Sequence, residues 1–118
     1  MQIPKDAVLL RIFIGQDDRS GHLPLFEAIV LKARAMHLAG ATVLRGPVGF
    51  GRSSRLHMAK ILRPSGDLPI VIEIVDAEDR INTFLPELEK LMGTGSGLVT
   101  LEKAKVLRYG KGAPAGSS

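Results

Sequence analysis

Cysteine is absent from the 118 residues. That excludes disulfides, thiol nucleophiles and thiolate metal sites together, and leaves packing or assembly as the source of stability. The three histidines, His22, His37 and His57, do not fall at the spacing of a zinc site. No apolar run approaches the roughly 18 to 20 residues needed to cross a bilayer. The opening MQIPKDAVLL has neither a basic region nor a small-residue cleavage site, so a cytoplasmic location is expected. Acid is missing from a long middle segment: residues 28–66 contain Lys32, Arg34, Arg45, Arg52, Arg55, Lys60 and Arg63 but no Asp or Glu. Such an asymmetry suits an anionic partner, whether phosphate, nucleotide or nucleic acid. Catalytic patterns are also lacking. There is no GxxxxGK[ST] loop, no GxGxxG at a strand-to-helix turn and no Ser-His-Asp spacing. The expectation is a protein that is not an enzyme and needs no cofactor or metal.

What is present is a regular alternation of short elements. AVLLRIFI, residues 7–14, is β-branched and bounded by polar turns, as a buried strand requires. Leu23-Pro24 opens a helix over 23–38, with Phe26, Ile29, Val30 and Ala33 on one stripe and Gly40 ending it. Residues 42–44 start a second strand and 68–75 form a third. Asp76 is expected to cap a second helix that turns Ile81, Leu85, Leu88 and Met92 inward and is kinked or split at Pro86. A last strand covers 98–108, and residues 110–118, GKGAPAGSS after Tyr109, have nothing to bury and are expected to be disordered. The order β-α-β-β-α-β predicts an α+β, ferredoxin-like single domain over 1–109 with a long loop between the second and third strands.

In that fold both helices cover one sheet face, so the strands of a monomer should alternate apolar and polar residues. They do not. The first strand sets Val8, Leu10, Ile12 and Ile14 against Ala7, Leu9, Arg11 and Phe13; the third sets Ile70, Ile72 and Ile74 against Val71, Glu73 and Val75. Both faces are apolar, with one charge in the middle of the second. Another copy of the chain is the natural cover, which makes Arg11, Phe13, Val71, Glu73 and Val75 interface candidates. Arg11 and Glu73 should share the helix-free face and pair, because a lone buried charge is costly.

Two connectors are rich in glycine: Gly46, Gly49 and Gly51 in one, Gly93-Thr94-Gly95-Ser96-Gly97 in the other. Glycine permits the backbone to turn successive N–H groups toward phosphate oxygens, though a plain hairpin bend or flexible link reads equally well. Arg52, Ser53, Ser54 and Arg55 add guanidinium and hydroxyl donors suited to an anion. His57 has no assigned role.

The runs LRIFIGQDDR, GATVLRGPVGFG followed by SSR, RPSGDLPIVIEIVD and GLVTLEKAKVL resemble the PII-like proteins of the DUF190 family, over nearly the whole ordered chain. The resemblance implies a ferredoxin-like homotrimer with the helix-free faces turned inward. It further implies a small effector, usually an adenine nucleotide, in clefts between subunits. Residues 46–64 take the position of the T-loop that meets the regulated partner, and residues 93–97 that of the phosphate-holding B-loop. The end AKVLRYGKG makes Arg108, with Lys111, a candidate anion contact. A membrane transporter or channel is the implied partner.

Two other classes stay open at this level. Ferredoxin-like sheets bind RNA through exposed aromatics, but Phe13 is the only aromatic on either central strand and no RNP-type sequence occurs, so nucleic acid is disfavoured. A small trimeric metal-ion or anion-binding protein is the third reading.

Overall fold

A computed structural model describes residues 5–46, 68–95 and 97–110, with the short ladder of Gly49–Phe50 against Leu56–His57. Six main elements follow one another: β1 (Asp6–Gly15), α1 (Leu25–Ala35), β2 (Thr42–Arg45), β3 (Pro69–Asp76), α2 (Glu78–Met92) and β4 (Leu98–Lys105). The four strands form one antiparallel sheet in the order β2-β3-β1-β4. This is the ferredoxin-like arrangement that the element order predicts.

The β-branched residues decide which face the helices take. Val8, Leu10, Ile12 and Ile14 of β1, with Ile70, Ile72 and Ile74 of β3, are buried beneath Leu25, Ile29 and Ala33 of α1 and Ile81, Phe84 and Leu88 of α2. Each fully buried Leu, Ile or Phe contributes roughly 1.5–3 kcal/mol from the area it removes from water. Phe84 completes the inward stripe of α2, whereas Leu85 and Met92 only flank it.

Several boundaries differ from the expectation, each for a local reason. Pro24 stands at the N-cap of α1, one position before the helix, where its ψ of 139° is extended and its missing N–H is harmless. At the other end His37, not Gly40, takes the left-handed φ of 61°. Leu38 N–H donates to Ala33 O and His37 N–H to Arg34 O, the paired bonds of a Schellman motif, so α1 stops at Ala35. Pro86 does not split α2, which continues through it to Met92. It lies on the exposed side of the helix, where water can satisfy the carbonyl left without a partner. β4 ends at Lys105, so Arg108 falls in the segment beyond it. Of the expected tail, only Gly110 is among the described residues.

Asp76 corrects a further expectation. The N-cap of α2 is Ala77, which makes no side-chain cap bond. Asp76 is instead fully buried, accepting the N–H of Ala77 at 2.7 Å and that of Ala39 at 2.9 Å. The Nε of Arg80 lies 3.1 Å from the same carboxylate, and Arg80 also donates to His37 O. One carboxylate thus ties the end of β3, the start of α2 and the α1–β2 connection together.

α2 closes on Gly93, whose φ is 58° and whose N–H donates to Glu89 O. A side chain there meets no neighbour but suffers the left-handed backbone penalty. Gly93→Ala is therefore expected to lower stability by about 1 kcal/mol, measured by urea unfolding, with no change in fold.

Candidate functional site

The sheet has two ends with different chemistry. At one end lie the close of β1, the close of β2, and the starts of β3 and β4, and both glycine-rich connectors emerge there. Gly46 donates its N–H to Pro69 O at 2.9 Å, and Gly49 pairs with His57 in the short ladder. Gly93 and Gly95 give their N–H groups to Glu89 O and Met92 O. Those amides are committed to the chain's own carbonyls, leaving side chains and the remaining amides to meet an anion. Gly97 has a packing reason for being glycine, since a Cβ there would lie 2.4 Å from the Met92 side chain and 3.4 Å from Phe13 O. Gln16 Oε1, beside the same end, is buried with no hydrogen-bond donor among the described residues. Gly51, Arg52, Ser53, Ser54, Arg55 and Ser96 lie outside the described residues.

Gly46 and Gly97 share this end but not an edge. Between β2 and β4 stand β3 and β1, so three strand spacings, about 14 Å, separate them within one chain.

The opposite end carries Arg108. It lies beyond the eight-residue β4, which alone spans about 23 Å and has Gly97 before its other end. A single chain therefore does not bring Arg108 to either glycine connector. It brings Arg108 to a groove of about 740 Å³ on the helix-free face, whose floor is Leu9, Val75 and Ala104, with Glu73 and Thr42 beside them. One wall is the α1–β2 connection, Ala39, Gly40 and Ala41; the other is the segment after β4, ending in Arg108 and Tyr109. The Tyr109 hydroxyl donates to Ala39 O at 3.1 Å. The groove is open and its lining mixed: an apolar floor with Thr42, Glu73, Lys105, Arg108 and Tyr109 around it, polar groups that could orient a small molecule. Sequence reading singled out Arg108 here as an anion contact and Glu73 and Val75 as interface residues, but missed Thr42, Tyr109 and the α1–β2 backbone.

The helix-free face itself matches its expected pattern. Arg11 stands directly opposite Glu73 in the β1–β3 register, and its Nε donates to Glu73 Oε2 at 2.8 Å. Glu102 of β4, which the sequence did not single out, accepts from the same guanidinium. The hydrogen bond that Arg11 donates to Glu73, opposed by desolvation and reinforced by the charges of both carboxylates, raises the Arg11 pKa above its ordinary value. Around this triad Leu9, Phe13, Val71 and Val75 are half-buried, and Leu44 and Leu98 are exposed. Phe13 faces Val71 and Leu98 across the ladders, and Leu9 faces Val75.

Among the described residues no three His, Asp or Glu side chains are grouped to hold a metal ion. No described helix is long and apolar enough to cross a membrane.

The model of the DUF190 family, described as "Uncharacterized ACR, COG1993", matches residues 7–106. A UPF0166 protein of Aquifex aeolicus is 35% identical over 99 residues, covering 84% of this chain and 91% of that protein. Among solved structures, CPII, a nitrogen regulatory PII-like protein from Thiomonas intermedia bound to ADP, AMP and bicarbonate, superposes with a TM-score of 0.67. It is 16% identical, and the match covers 87% of this chain and 90% of that one. A putative PII-like signaling protein from Thermus thermophilus gives a TM-score of 0.63 at 18% identity, covering 90% and 93%. At these identities the likeness is one of fold.

Proposed function

Because this chain belongs to the DUF190 family and has a PII-like fold, we propose that it is a PII-like regulatory protein that binds a small anionic effector, an adenine nucleotide foremost. In this reading three copies pack their helix-free faces together, and the effector sits at a subunit boundary. Its binding biases the segment 46–64, which meets a partner such as a membrane transporter. The protein works in the cytoplasm by binding and not by turnover.

The observation that carries the reading is the groove beside Arg108, open on the face that a second copy would cover. Arg108 and the glycine connectors stand at opposite ends of one sheet, too far apart for one nucleotide. A neighbouring copy can supply the second half of such a site, and this supports a boundary location. An effector switches the segment 46–64 only if it prefers one arrangement of that segment over another.

Calorimetric titration with ADP, AMP and ATP tests the proposal. ADP is expected to bind, and Arg108→Ala to weaken it by about ten- to a hundredfold, the range for a charged hydrogen bond to phosphate. Absence of heat with all three nucleotides, inorganic phosphate and bicarbonate would overturn it.

A further inference from the structure

The segment after β4 is a strap. Val106 N–H donates to Lys5 O at 2.7 Å, which brings the chain past the start of β1, and Tyr109 then reaches the α1–β2 connection at the far side of the sheet. The strap crosses the rim of the 740 Å³ groove and contributes Val106, Leu107, Arg108 and Tyr109 to its lining. On the far rim the strap is held by the Tyr109 hydroxyl bond to Ala39 O. Ala39 is a firm anchor, because its own N–H is held by the buried carboxylate of Asp76. Anchor and strap thus differ in kind: one is locked to the core, and the other is exposed along 107–110.

We propose that residues 106–109 act as a latch over the groove, closed by the Tyr109–Ala39 hydrogen bond and stabilised by whatever occupies the groove. The strap's side chains line the groove only while the latch is shut, so an occupant gains those contacts in the closed state alone. A ligand shifts an equilibrium toward the state with which it makes more contacts, and the coupling is reciprocal. Closure therefore tightens binding, and binding favours closure. The volume remains about 740 Å³ with the latch closed, so a nucleotide-sized occupant need not force it open.

This inference rests on the groove being the effector site, and the test separates the two. The chain has one tyrosine and no tryptophan, so its tyrosine emission reports on Tyr109 alone. Without ligand, acrylamide should quench Tyr109 about half as efficiently in the folded protein as in urea-unfolded chain, since the residue is 39% exposed. Equal quenching would mean no latch, whatever the groove binds. With ADP at saturation, quenching should fall further, and Tyr109→Phe should bind ADP about three- to tenfold more weakly, the worth of one hydrogen bond. Unchanged ADP affinity in Tyr109→Phe overturns the latch and leaves the groove reading intact. If ADP binds to neither protein, the effector reading fails, and the ligand-free quenching comparison alone decides the latch.

Discussion

If three copies pack by their helix-free faces as proposed, the native chain is expected to elute as a trimer by size exclusion with light scattering, and an Arg11→Ala chain as a monomer. In a single chain the Arg11 and Glu73 side chains are 36% and 30% exposed, and an ion pair so open to water contributes little to stability. Covered by other copies, the same guanidinium would balance Glu73 and Glu102 on a face that is otherwise uncharged around them among the described residues. Removing it would strand two carboxylates on a covered face, where an unpaired charge is costly. The size of the effect therefore reports whether the face is covered. The double change Arg11→Leu with Glu73→Leu should retain more of the assembly than Arg11→Ala, since it removes both partners of the central pair. If Arg11→Ala remains trimeric with an unshifted melting temperature, the helix-free face is not the interface.

The second large effect is expected at Asp76. Asp76→Ala would leave the N–H groups of Ala39 and Ala77 without their acceptor and the half-buried Arg80 guanidinium without its carboxylate, around a fully buried position 76. Losing one partner of a buried, hydrogen-bonded ion pair costs about 3–5 kcal/mol, a large part of the roughly 5–15 kcal/mol that holds a domain folded. At about 4 °C per kcal/mol for a domain near this size, the melting temperature should fall by about 12–20 °C. Asp76→Asn should fall between, because its amide oxygen can serve one donor while its NH₂ group opposes another. The Ala39 anchor would loosen as well, so Tyr109 should become easier to quench in both variants. A loss under about 1 kcal/mol in Asp76→Ala, by urea unfolding, would show that the carboxylate does not organise this corner.

Features of short range were legible before the structure. β1 and β3 show apolar residues on both faces because their side chains alternate with period two, and this exposes a face that two helices cannot cover. With the element order known, Arg11 and Glu73 fall opposite each other, and the register bears this out. Where the reading slipped, a local signal had more than one outlet. Asp76 before a helix reads as a cap, but burial turned its two oxygens to Ala39 and Arg80 as well. Gly40 reads as the end of α1, but His37 accepts the left-handed conformation three residues earlier. Pro86 breaks a helix in isolation, whereas packing of Phe84 and Leu88 on either side holds α2 continuous.

Residue order alone was enough for the succession of elements, the helix-free apolar face with its central charge pair, and a family resemblance. Those depend on periodicity and on turn residues, which act within a few positions of one another. The assembled sheet was needed to set Arg108 at the opposite end from the glycine connectors, and to join Glu102 to Arg11. It was needed again to close a groove with Tyr109 against Ala39. These contacts join residues 91 apart in the case of Arg11 and Glu102, and 70 apart for Tyr109 and Ala39. Such pairs come into being only when the whole sheet has formed, because the free energy that closes loops of that length is spread over the core and not written at either end.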